Sequence, residues 1–159
     1  MPPVKPLIIG QAPARGNDGK PPFSGRSGAR LAELIGVTKN GLYTGDVLPE
    51  YFDLVNLLPA WQGKQGKGDV FDMKTAKLKA GILIHELNEG PPRSILMMGR
   101  KVRRAMGVNG DWEYLEWFDF YKHEAVIFPH PSGVNRWWND QANYGEARFF
   151  LRDVIWGSS

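Results

Sequence analysis

Apolar residues fall into four short unbroken runs, at positions 6–9, 54–58, 94–98 and 125–128. Runs of this length, without the alternation of a half-exposed strand, predict strands buried on both faces. Around them the apolar positions recur at helical spacing. Positions 28–35 carry Leu31, Leu34 and Ile35, and Gly36 follows as a C-terminal cap. Positions 74–88 set Leu78, Ile82 and Leu87 roughly on one face, and Gly90-Pro91-Pro92 stops the pattern. Positions 100–106 predict a short basic helix closed by Gly107, and positions 145–156 a last helix with Phe149, Phe150, Val154 and Trp156. The order β-α-β-α-β-α-β-α predicts an α/β fold with three layers, α/β/α, around a short, mostly parallel four-stranded sheet. Its length suits one domain over residues 1–159. Two segments stand outside this scheme. Gly63-Lys64-Gln65-Gly66-Lys67-Gly68 reads as a flexible basic loop. Positions 111–121, rich in Trp, Tyr and Phe, read as either an edge hairpin or a helical turn.

Composition narrows the chemistry. A hydrophobic content of 42% is enough for a core and too high for a disordered chain. Cysteine is absent, which excludes disulfides, thiolate zinc sites and iron–sulfur clusters. The three histidines are well separated, so neither a metal site nor another cofactor is expected. The start, Met1-Pro2-Pro3-Val4-Lys5-Pro6, lacks the apolar core of a secretory signal, and no stretch approaches membrane-spanning length. A cytoplasmic monomer that does not bind membranes is the resulting expectation. The net charge of +3 is a mild basic bias, compatible with nucleic acid.

Candidate chemistry gathers at the strand ends, where open α/β sheets place their ligands. The first run leads into Gly10-Gln11-Ala12-Pro13-Ala14-Arg15-Gly16-Asn17-Asp18-Gly19. The second carries Asn56 and leads into Pro59-Ala60-Trp61. The third ends at Gly99-Arg100-Lys101. The fourth leads into His130-Pro131-Ser132-Gly133-Val134-Asn135-Arg136-Trp137-Trp138. This last segment combines a tight turn with charge for phosphate and flat apolar surface for bases.

Gly10-Gln11-Ala12-Pro13, followed by Asp18-Gly19-Lys20-Pro21-Pro22-Phe23-Ser24-Gly25-Arg26-Ser27-Gly28, resembles the first motif of uracil-DNA glycosylases. In the bacterial and archaeal branches that motif reads roughly G-E-A-P-G, acidic residues, then G-x-P-F-x-G-x-x-G. His130-Pro131-Ser132-Gly133 resembles the H-P-S signature of that superfamily, and the mismatch-specific branch has a similar N-P-S-G loop. Asn56 falls where the superfamily keeps a base-reading Asn. The resemblance runs in order over nearly the whole chain. It departs in two places. The cysteines that hold an iron–sulfur cluster in some branches are missing, and the usual carboxylate or Asn of the first motif is replaced by Gln11 or Ala12. Gln is neutral and cannot serve as a base.

The resemblance implies a DNA repair enzyme that flips a uracil from single- or double-stranded DNA and hydrolyses its N-glycosidic bond. Under it, His130 stabilises the departing base, with a structural turn cap as the alternative. Asp18, Asn17 or Gln11 handles the water, although Asn-Asp-Gly is also a common turn. Asn56 reads the base edge and Phe23 stacks on its face, with Ala12 and Pro13 lining the same pocket; the alternatives are a strand Asn satisfied by a neighbouring loop and a Phe packed in the core. Ser132, Gly133, Asn135, Arg136, Trp137, Arg100 and Lys101 contact DNA, the last two alternatively belonging to a solvated basic helix. Trp137 and Trp138 divide between groove and core. Two other functions remain open: base recognition without cleavage, and excision of a 5-substituted uracil.

Overall fold

The computed structural model describes residues 4–61, 63–65, 68–69, 71–132 and 135–157. In chain order the elements are β1 (Leu7–Gly10), α1 (Arg26–Ile35), β2 (Asp53–Asn56), β3 (Lys64–Gln65), β4 (Gly68–Asp69), α2 (Met73–Glu89), β5 (Ser94–Met98), α3 (Arg100–Ala105), β6 (Phe118–Phe120), β7 (His123–Phe128) and α4 (Gln141–Trp156). One mixed sheet has the order β2-β1-β5-β7-β6. The first four strands are parallel, and β6 joins the edge antiparallel to β7.

Strand β1, β5 from Ile95 onward and β7 from Ala125 onward are apolar at successive positions because both faces are covered. Ile8, Leu96, Met98, Val126 and Phe128 pack into a core with Leu31, Leu34 and Ile35 of α1 and Ala147 and Leu151 of α4. Leu7, Ile9, Ile95, Met97 and Ala125 pack on the other side with Ala76, Ala80 and Leu87 of α2 and Val102 and Ala105 of α3. The three-layer α/β/α architecture follows, with each fully buried aliphatic side chain worth roughly 1.5–3 kcal/mol.

Several expectations need correction. The sheet has five strands rather than four, because positions 111–121 end in an edge hairpin. Phe118 and Phe120 turn inward on either side of exposed Asp119, the alternation of a one-sided edge strand. Lys64–Gln65 and Gly68–Asp69 form an antiparallel pair where a flexible loop was expected; Gly66 and Lys67 lie outside the described residues. On α2, Leu87 is buried but Leu78 and Ile82 are exposed, and the small residues Ala76 and Ala80 meet the sheet instead. Helix α4 starts at Gln141 rather than at position 145, because Asp140 caps it: the Ala142 N–H donates to Asp140 Oδ1 at 2.9 Å.

Topology fixes where the strand ends meet. Gly10 pairs with Asn56 at the ends of β1 and β2, and Met98 pairs with Phe128 at the ends of β5 and β7. The chain leaves β1 to one side for β2 and returns on the other side as β5. The loops after β1 and β5 therefore separate at a topological switch point, which opens a crevice at that edge of the sheet.

Candidate active site

A cavity of about 190 Å³ occupies this crevice, lined by Gln11, Ala12, Pro13, Ala14, Asn17, Pro21, Phe23, Ser24, Ser27, Asn56, His130 and Ser132. Its floor depends on Gly10. A Cβ there would lie 2.5 Å from Asn56 Oδ1 and 2.7 Å from Phe23 Cζ. The missing side chain lets an amide from β2 and an aromatic ring from the first loop come together over the end of β1. Phe23 is held in place by its backbone. It sits at φ 62°, a left-handed conformation costly for a bulky residue. Its carbonyl is wedged between Gly28 and Gly45, where a Cβ would come within 1.8 and 1.9 Å of the oxygen.

His130 reaches the cavity from the turn after β7. Its carbonyl accepts a hydrogen bond from Trp138 Nε1 at 2.8 Å and a longer one from Asn135 Nδ2 at 3.4 Å. Trp138, only 8% exposed, packs against Phe128 and Tyr144, and the Arg30 guanidinium lies 5.2 Å above its ring. The His130 turn is thus pinned to the core by an indole. Asn135 also caps the turn Arg136–Asn139 by accepting from the Trp137 N–H at 3.1 Å. Gly99 adopts φ +93°, and a Cβ on it would lie 3.1 Å from His130 Cβ and 3.6 Å from Gln11 Nε2. Glycine at this position keeps both side chains close to the end of β5.

A second hollow adjoins the cavity through Gln11 and His130, lined also by Gly99, Arg100, Lys101, Tyr114, Asn135 and Arg136. Arg100, Lys101 and Arg136 are exposed there. A cavity lined by amide, imidazole and aromatic side chains thus lies beside a basic hollow. The family model of the uracil DNA glycosylase superfamily matches residues 2–154.

The chain belongs to the uracil DNA glycosylase superfamily.

No curated protein matches the chain. Membership in the uracil DNA glycosylase superfamily brings DNA glycosylase activity, DNA repair and DNA as the partner in general terms. No helix among the described residues is long and apolar enough to cross a membrane. No group of three or more His, Asp or Glu among the described residues is placed to hold a metal ion.

Within this superfamily member the residues singled out from the sequence separate into groups. Gln11, Ala12, Pro13, Asn17, Phe23, Asn56, His130 and Ser132 are brought to one cavity. Asp18 is not. Its carboxylate points to the next loop, where Oδ1 accepts the Trp61 N–H at 2.9 Å and ties the first motif to the end of β2. No carboxylate is among the described residues lining the cavity. Asn17 lines it, its backbone held by donation to the Ala14 carbonyl at 3.0 Å. Arg100, Lys101, Asn135 and Arg136 share the basic hollow, and Gly133 lies outside the described residues. Trp138 is core, while Trp137 is half-buried, its ring edge-on to Trp138 at 4.9 Å and to Tyr114 at 5.8 Å. Trp156 is exposed and stacks edge-on with Tyr51 instead of joining this cluster. Gly10, Gly99 and the Trp138 indole were not among the candidate site residues. A glycine at the carboxyl end of a buried strand was the available signal for the first two.

Proposed function

We propose that this protein is a DNA glycosylase that hydrolyses the N-glycosidic bond of uracil, or of a related deaminated or modified pyrimidine, flipped out of DNA. The observation that carries the proposal is the meeting of Asn56 and Phe23 over Gly10 in the cavity that His130 also lines. An Asn amide has both a donor and an acceptor, which suits the O4 and N3–H of uracil. The Phe23 ring supplies a face for the flipped base to stack on.

The reaction breaks the bond between C1′ and the base nitrogen and adds the oxygen of water to C1′. Uracil leaves as an anion with charge on O2, and a proton from the water is released. A His130 N–H aimed at O2 stabilises the charge as it develops; one such preorganised donor is typically worth about a hundred- to a thousandfold in rate. Asn17 or Gln11 holds the water by hydrogen bonding, orienting it without removing its proton. Arg100, Lys101 and Arg136 grip phosphates beside the pocket, with Ser132, Asn135 and Trp137 on the same side. The protein acts as a monomer with a single domain, inside the cell, and needs no cofactor. Flipping costs a few kcal/mol and least for a mispaired base, so uracil opposite guanine is released faster than uracil opposite adenine.

A second reading is favoured by the engagement of Asp18 with Trp61 and the lack of a carboxylate among the described lining residues. On it, the same pocket recognises the base without cutting. One assay separates the two. Oligonucleotides carrying uracil, hydroxymethyluracil, hypoxanthine or xanthine, single- and double-stranded, are incubated with the protein and abasic sites are cleaved with alkali. Strand cleavage at uracil supports the glycosylase. Selective retention of the uracil oligonucleotide without cleavage supports the binding protein, and cleavage confined to hydroxymethyluracil assigns the 5-substituted substrate.

A further inference from the structure

The basic hollow does not end at Tyr114. It shares Arg100 and Tyr114 with a further hollow that continues to Trp112 and Trp137, so one groove runs from His130 to an aromatic wall. The wall is built edge to face. Tyr114 lies 5.2 Å from Trp112 and 5.8 Å from Trp137, with interplanar angles of 68° and 70°. All three rings are half-buried, so each keeps accessible surface. The wall is anchored to the strand that delivers His130: Tyr114 bridges to Ile127 of β7, and the Leu115 N–H donates to the Ile127 carbonyl at 3.1 Å. The guanidinium groups of Arg100 and Arg103 sit over the Trp112 ring at 5.8 and 5.2 Å, fixing its tilt.

Charge is uneven along this groove. Arg100, Lys101 and Arg136 line the part next to His130, and Asp111, Glu113 and Glu146 enter the lining beyond Tyr114, where Arg100 and Arg103 still stand over Trp112. Phosphate is favoured most next to His130, where no carboxylate is among the described lining residues. A nucleotide leaving the cavity keeps its phosphate near the guanidinium groups and turns its uncharged base toward the rings.

We propose that this groove is a second nucleobase site, which stacks the unpaired base of a nucleotide next to the flipped one on the Trp112–Tyr114–Trp137 wall. The proposal rests on the glycosylase reading for the identity of the flipped nucleotide, but its stacking step does not need cleavage. Aromatic stacking tolerates any base and requires that base to be free of its partner. The groove therefore favours single-stranded or frayed DNA over a closed duplex.

The test uses uracil-free DNA, so that excision plays no part. Fluorescence anisotropy measures affinity for a labelled single strand and for a blunt duplex, with wild type, Trp112→Ala and Trp112→Phe, and thermal melting on the same samples. The proposal expects Trp112→Ala to lose about tenfold or more in single-strand affinity, Trp112→Phe to recover most of it, and duplex affinity to change far less. Equal losses for both forms of DNA, or no loss in a folded variant, would overturn it. If Trp112→Ala does not fold, photocrosslinking of wild type to a uracil-free single strand containing 5-iodocytosine decides instead. Crosslinks in residues 112–114 or at Trp137 support the site, and crosslinks confined to other surfaces refute it. Uracil release is measured separately on wild type. A protein that stacks single strands here without releasing uracil keeps this site and loses the glycosylase reading, and the converse result does the opposite.

Discussion

Gly10→Ala adds one methyl group at the point on which the cavity depends. Gly10 ends β1 without a left-handed φ, so the backbone accepts alanine and the effect is purely steric. The new Cβ would stand 2.5 Å from Asn56 Oδ1, 2.7 Å from Phe23 Cζ and 3.0 Å from Phe23 Cε2. Carbon atoms prefer separations of about 3.5–4.0 Å, so the ring and the amide must each retreat by about 1 Å. Neither retreats freely. Phe23 is locked through its carbonyl between Gly28 and Gly45, and Asn56 belongs to a strand in register with β1. Overpacking of this kind costs about 1–3 kcal/mol in stability. A misplacement of about 1 Å in a reacting assembly costs about a hundredfold in rate. Single-turnover uracil release and thermal melting on the same sample are the assay. The expected result is a folded protein, modestly less stable, with release slowed about a hundredfold. A folded Gly10→Ala variant that releases uracil at the wild-type rate would refute the assignment of the base to the space over Gly10.

Three further outcomes follow from particular contacts. Trp138→Phe keeps one aromatic ring but removes the pyrrole half of the indole, and with it the N–H that holds the His130 carbonyl at 2.8 Å; it should slow release about tenfold while costing about 1–3 kcal/mol, read by the same two measurements. Asn56→Asp keeps an acceptor and loses the amide donor, and should move preference from uracil toward cytosine in a competition between the two bases; unchanged preference would take Asn56 out of base reading. His123, 2% exposed, accepts the Arg93 N–H at Nδ1, and burial, with Lys122 and Arg93 nearby, holds its pKa below 6.5. The folded state therefore resists protonation that the unfolded chain accepts. Its stabilising contribution is complete above pH 6.5 and is lost as the pH falls below that value, so melting temperature should drop from pH 7 to pH 5 and the drop should shrink in His123→Gln.

The parts of this fold that could be read from the sequence are those where local pattern and tertiary environment agree. Strand β5 coincides with the run 94–98, because a central parallel strand buried on both faces stays apolar from Ile95 to Met98, with only the half-buried Ser94 polar at its start. The edge was harder. The β6–β7 hairpin turns at Tyr121 and Lys122 with Tyr121 at φ 53°, a conformation usually marked by Asn or Gly. On α2, size rather than hydrophobicity decided the buried face, since alanines let the helix approach the sheet while Leu78 and Ile82 stayed outside. At the site, Asn17-Asp18-Gly19 offers the same letters for a turn and for an acid, and only the fold reveals that Asp18 accepts from Trp61 while Asn17 lines the cavity. The structural work of Gly10 and Gly99 is invisible in a pattern of side chains, because it lies in side chains that are absent.

The most direct test of the central claim is single-turnover release of uracil from a uracil-containing oligonucleotide by wild type and His130→Ala, with melting temperature and DNA affinity taken on the same samples. The expected result is release by wild type, a loss of about a hundred- to a thousandfold in the variant, and DNA affinity nearly intact. A variant that releases uracil at the wild-type rate, or one that loses stability and DNA affinity together while turnover per folded molecule is preserved, would contradict it.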